Sequence, residues 1–164
     1  MDDLNHPKVR KFTREIGRRL RIDESFLDFV FADKRPDCFQ YWVEDVASGW
    51  TCYVPDEFDV TYPLWSTNAN QTLLLVTGDS LVFGQGYHDS PEVNLIAKTT
   101  QGLLTELMIQ LIESEASDVE LREAAEFCGY RFFDRLLILM DTISSEDYSV
   151  LIGHFITEVD ETSI

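Results

Sequence analysis

The stretch VTYPLWSTNANQTLLLVTGDSLVF, residues 60–83, decides the fold. Aromatic and β-branched residues fill its first third, a polar loop interrupts at residues 67–70, and the apolar run Leu73 to Val76 is parted from Leu81 to Phe83 by Gly78-Asp79. Short apolar runs bounded by turn residues read as strands. The spacing therefore predicts strands over Val60 to Trp65, Gln71 to Thr77 and Leu81 to Phe83, the last two forming a hairpin. Pro63 has no N–H for a ladder, so its strand is expected at an edge.

Working outward, the aromatic-rich Phe39 to Val46 and, after the Ser48-Gly49 turn signal, Trp50 to Val54 extend the reading to an antiparallel sheet of four to five strands. Before it, Val9, Phe12, Ile16 and Leu20 recur at helical spacing behind an Asn5 cap and Pro7, predicting a helix over residues 5–20. A second helix starts from an Asp23 cap, buries Phe26, Leu27, Phe29 and Val30, and ends at Lys34-Arg35-Pro36. Downstream, Gly84 and Gly86 read as turn glycines and Ser90-Pro91-Glu92 as a helix start, with Thr99 or Thr100 restarting it. Ser117 and Glu120 form a capping box opening a helix to about Ile143, and a last helix runs from Ser145. Helices, then sheet, then helices spell an α+β fold, expected as one domain over residues 1–164: a basic helical part (1–35), a β-rich part (36–89) and a helical part (90–164).

Charge restricts the function. Thirteen basic and 30 acidic residues leave a net charge of −17. Residues 1–35 hold nine bases against seven acids, whereas residues 36–164 hold four bases, Lys98, Arg122, Arg131 and Arg135, against 23 acids. Such a body repels phosphate backbones and anionic membranes and attracts cationic proteins. The cationic first helix is expected to lie against that acidic body. With no apolar run of about 20 residues and no basic-then-apolar leader, the chain is expected to remain in the cytoplasm. Cys38, Cys52 and Cys128 lack metal-ligand spacing and read as reduced, buried thiols.

The order of motifs resembles the SMI1/KNR4, or SUKH, superfamily. The matching residues are Glu15 to Leu20, Phe26-Leu27-Asp28-Phe29, Tyr62-Pro63-Leu64-Trp65, Leu73 to Val76, Gly78-Asp79, Leu81 to Phe83 and Ile96 to Leu104. Together they cover about residues 12–112. The chain departs from the family pattern at Lys34-Arg35-Pro36-Asp37, where members carry Asn-Gly-Gly. Many members are immunity proteins that neutralise toxins, frequently nucleases, and others are eukaryotic regulatory adaptors. The resemblance implies binding through the sheet and its loops.

A search for catalytic chemistry finds neither a Gly-x-Ser-x-Gly elbow nor a His-Glu-x-x-His pair. Asp89 stands where a dinucleotide loop has its third glycine, and Pro91 offers no N–H to a phosphate. His88-Asp89 are adjacent, an awkward arrangement for an acid–base pair, and His6 and His154 have no catalytic neighbours in sequence. Asp56, Glu57 and Asp59 could hold a cation but lack an EF-hand's glycine and distal glutamate, so neither cofactor nor metal is expected.

The reading that results is an acidic protein-binding module, such as an immunity protein for a basic toxin. Glu44, Asp45, Asp56, Glu57 and Asp59 would steer the partner's cations, and Trp50, Tyr53 and Trp65 would act as desolvated anchors. Two alternatives use the same acidity: a DNA mimic, with Glu113, Glu115, Asp118, Glu120, Glu123 and Glu126 spaced like phosphates, or a secretion chaperone. A carboxylate-metal hydrolase is a third.

Overall fold

The computed structural model describes residues 7–46, 55–67, 69–87, 90 and 92–163. Four strands, β1 (Val60–Ser66), β2 (Asn70–Thr77), β3 (Ser80–Tyr87) and β4 (Val93–Ala97), form an antiparallel sheet in chain order. Helices α1 (Arg14–Arg19) and α2 (Glu24–Val30) and a 3-10 turn (Asp37–Phe39) precede it. Helices α3 (Thr100–Glu113), α4 (Asp118–Cys128), α5 (Phe133–Thr142) and α6 (Tyr148–Ser163) follow, an α+β arrangement.

β2 explains the uninterrupted run of leucines. It lies between β1 and β3 and is covered on both faces, so alternation is unnecessary. Leu74 and Val76 join the main core with Phe26, Phe29, Trp65, Phe83 and Leu104, while Leu73 and Leu75 pack beneath Phe58 with Val82 and Val93. Gly78, at φ 56°, closes the β2–β3 hairpin in the left-handed conformation that glycine adopts at little cost.

β1 is one of the two sheet edges, where Pro63 can be tolerated, and both its ends are blunted. Thr61 exchanges backbone hydrogen bonds with the 8–10 segment (3.0 and 2.8 Å), and Ser66 does so with Glu44 (3.0 and 2.8 Å), leaving Pro63 between them. These contacts account for two differences from the sequence reading. Residues 7–13 are drawn out of the expected first helix onto the edge, and α1 begins only after Thr13, whose side chain accepts from the Ile16 N–H. The segment expected as a strand over Phe39 to Val46 is a 3-10 turn followed by one bridge at Glu44. The strand expected over Trp50 to Val54, with Cys52, lies outside the described residues.

Three further differences lie downstream. Gly84 and Gly86 are inside β3 and not in a turn. Residues 93–97 form β4 where a helix was expected, because they pair with Phe83 to Gly86. Gly84 permits that approach, since a Cβ there would stand 2.9 Å from the Asn94 carbonyl oxygen. The long helix expected from Ser117 is split at Gly129, whose φ of 75° ends α4, and α5 starts anew at Phe133. Thr99, Ser117 and Asp23 cap α3, α4 and α2 as their sequence positions predict. Cys38 is half-buried and Cys128 buried, both as free thiols.

Candidate functional site

The residues singled out from sequence do not form one patch. Asp56, Glu57 and Asp59 are exposed at the start of β1, in a loop clamped to the sheet. The Asp59 carboxylate accepts from the Gly78 N–H (2.8 Å), Thr77 Oγ1 donates to the Glu57 carbonyl (3.2 Å), and Lys8 Nζ donates to the Asp56 carbonyl (3.1 Å). Glu44 and Asp45 are exposed beside the other end of β1, about 20 Å away at a strand's rise per residue. Trp65 is buried at 3% exposure between Phe26 and Phe29, at ring distances of 6.2 and 5.8 Å. It is a core residue and not a surface anchor, because the register shift in β1 places it over the helices. Trp50 and Tyr53 lie outside the described residues.

The basic N-terminal segment makes two kinds of contact. Arg14 pairs with Asp28 (2.8 Å) and Arg18 with Glu24 (2.6 Å) on α2, while the segment before α1 lies along β1, with Lys8 reaching the Asp56 carbonyl. These pairs are exposed and individually worth little.

Acidity is densest on the helical layer. From residue 100 onward there are fourteen acids and three arginines. Two of those arginines are already engaged, Arg122 with Asp134 (3.2 Å) and Arg135 with Glu158. On α4, Asp118, Glu120, Glu123 and Glu126 are exposed, together with Val119 at 77% and Phe127 at 39% exposure. Glu120, Glu123 and Phe127 line a groove of about 460 Å³ whose other wall is Lys34 to Cys38. Burial, and then the Glu120 carboxylate, push the Cys38 thiol up, so it stays protonated and is a poor nucleophile. The six acids proposed as a phosphate-like ridge straddle the break between α3 and α4, and Glu113 is bonded to the Tyr148 hydroxyl, so no one helix presents them.

Glu106 on α3 is an ionisable group in the wrong place for its charge. Burial, and then Glu113 one heptad away, push its carboxyl up. A carboxyl held above its unfolded value stabilises the fold below the unfolded pKa, near 4.3, and that contribution is lost as pH rises through the folded value. Glu106→Gln is therefore expected to raise the melting temperature at neutral pH by about 1–3 °C and to bring no gain near pH 4. Thermal unfolding followed by circular dichroism at both pH values checks this, and a lower melting temperature at pH 7 contradicts it.

Among the described residues no three His, Cys, Asp or Glu side chains come together as metal ligands, and no helix is long and apolar enough to cross a membrane. Sequence reasoning missed a cationic cavity of about 510 Å³ at the start of α3, into which Arg21, Lys98 and Arg131 are brought from three separate junctions. The one hint in the sequence is that Lys98 and Arg131 are two of only four cations after residue 35. Compared with known proteins, the chain matches no family model, no curated protein and no solved structure.

Proposed function

We propose that the protein is an acidic binding module of the cytoplasm whose partner is a basic protein, in the manner of an immunity protein that covers a cationic toxin such as a nuclease. The observation that carries this reading is the helical layer, where exposed carboxylates on α4 surround two large apolar side chains that water reaches, Val119 and Phe127. Carboxylates around an aromatic give a cationic partner both steering and a site for desolvated contact. Glu44, Asp45, Asp56 and Glu57 at the two ends of β1 extend the negative field. The order of strands, turn and capped helix over residues 60–104 supports including the SMI1/KNR4 resemblance in this reading.

The test is retention of proteins from the native source on the immobilised chain at low and high salt, beside a Glu123→Lys/Glu126→Lys variant. Neither side chain caps or pairs with another described residue, so the fold is expected to persist. A basic protein should be retained at low salt, released at high salt, and held at least about tenfold more weakly by the variant. Partners that are neutral or acidic and indifferent to salt would sink the reading.

A further inference from the structure

We propose that the cavity at the start of α3 is a binding site for a small phosphomonoester, its dianionic phosphate held by Arg21, Lys98 and Arg131 and its organic body resting on Leu20 and Leu81. All five residues line the one cavity.

The charge pattern singles this cavity out. In a chain of net charge −17, the four cations after residue 35 divide into two kinds. Arg122 and Arg135 are neutralised by Asp134 and Glu158, whereas Lys98 and Arg131 make no ion pair among the described residues, and neither does Arg21. The three are therefore free of internal ion pairs among the described residues and available to an anion. Among the described residues Asp23 is the one acid in the cavity lining. Burial raises its pKa, but hydrogen bonds from Ser25, Thr100 and backbone N–H groups outweigh that and hold it lowered, so it stays charged. Three cations against the Asp23 carboxylate and the Asp160 carboxylate bonded behind Lys98 and Thr99 leave the cavity net positive, as an anionic phosphomonoester requires.

The cations are also held in place through their backbones. Asp160, 7% exposed at the end of α6, accepts from the Lys98 N–H (2.8 Å), the Thr99 N–H (3.0 Å) and Thr99 Oγ1 (2.6 Å). Gln101, 3% exposed, accepts from the Arg131 N–H (2.9 Å) and donates to the Gly129 carbonyl (2.9 Å). Thr100 Oγ1 donates to Asp23 (2.8 Å), tying the Arg21 to Asp23 segment to the same turn. Arg21 itself, at φ 63°, is the left-handed residue that closes α1, its N–H donating to the Arg18 carbonyl (3.0 Å) and the Ile22 N–H to the Gly17 carbonyl (2.8 Å), which fixes the point from which its side chain leaves the chain. Three junctions distant in sequence are thus fastened to one turn, and each presents a cation to one cavity.

Size and surroundings choose the ligand. A cavity of about 510 Å³ is in the range of small-molecule sites. The net charge of −17 disfavours a long polyanion over the molecule as a whole, whereas a small phosphomonoester needs only the cations of this cavity. Guanidinium groups suit phosphate oxygens through paired N–H donors.

The experiment is a titration of the full-length chain with phenyl phosphate, followed by backbone amide NMR at constant ionic strength and about pH 7.5, where the ester is doubly charged. Inorganic phosphate, malonate and a single-stranded oligonucleotide are the comparison probes. Saturable shifts are expected at residues 21–23, 98–101 and 129–131, with phenyl phosphate tighter than inorganic phosphate and malonate. A Lys98→Gln/Arg131→Gln variant, which removes no side-chain hydrogen bond among the described residues and should keep its melting temperature, is expected to bind at least about tenfold more weakly. The proposal is overturned by the absence of saturation at about 10 mM ester, where even a millimolar site would be mostly filled. It is equally overturned by unchanged affinity in the variant, by malonate or inorganic phosphate binding as well as the ester, or by tighter binding of the oligonucleotide.

Discussion

Asp160→Ala is expected to cost about 3–4 kcal/mol, the loss associated with stripping a buried charged partner from its donors. The carboxylate sits at the N-terminus of α3, where the helix dipole favours a negative charge, and three donors converge on it. Alanine leaves the Lys98 and Thr99 N–H groups without their acceptor and opens a small void against Gly102. Asp160→Asn keeps the shape but turns an NH2 toward one of the donors, so an intermediate loss of about 1–2 kcal/mol is expected. Gly102 belongs to the same contact, because a Cβ there would overlap Asp160 Oδ1. Gly102→Ala should consequently be destabilising in the wild type and less so beside Asp160→Ala, where the approach to Ala97 Cβ at 2.7 Å remains, a coupling that a double-mutant cycle measures by urea denaturation. Losses of less than about 1 kcal/mol for Asp160→Ala, or strictly additive effects, would contradict this role of Asp160. Through this residue and the packing of α6 on α3 and β4, the last third of the chain acquires a role that its sequence left open.

Phe29→Ala is expected to cost about 3–5 kcal/mol, the range for deleting a buried aromatic ring. Phe29 is fully buried, and its ring meets Phe39 at 5.1 Å, Trp65 at 5.8 Å, Phe127 at 6.3 Å and Phe26 at 6.4 Å, so α2, the 3-10 turn, β1 and α4 share it. Arg35 covers the ring at 5.6 Å and donates Nε–H to the Phe29 carbonyl at 3.0 Å. Four elements cannot all close on the void that alanine leaves, which places the cost in the upper part of the range. Urea denaturation followed by tryptophan fluorescence measures it. A loss below about 1 kcal/mol would mean that the aromatic cluster does not hold these elements together.

How much was legible depends on how far each cause reaches along the chain. Asp23, Thr99 and Ser117 announce their helices because a cap acts on N–H groups two or three residues away. The hairpin at Gly78 is legible for the same reason. Residues 93–97 were misread because Ser90-Pro91-Glu92 resembles a helix entry, whereas β4 exists through pairing with β3, where Gly84 lets the strands approach. Residues 7–13 follow a helical spacing, yet the unpaired edge of β1 outcompetes that local preference. Trp65 looked like an interface anchor since exposed and buried tryptophans are alike in sequence, and only the register shift in β1 turns it inward.

The amino-acid sequence by itself determined the α+β class, the hairpin at the centre of the sheet, the capped starts of three helices and the lopsided acidity. Each follows from composition or from contacts a few residues apart. Only the tertiary structure decided that Trp65 is core, that α6 reaches back through Asp160 to the start of α3, and that Arg21, Lys98 and Arg131 share a cavity. Those outcomes join residues 30 or more positions apart, and such contacts form only when several elements can pack and satisfy their buried hydrogen bonds together.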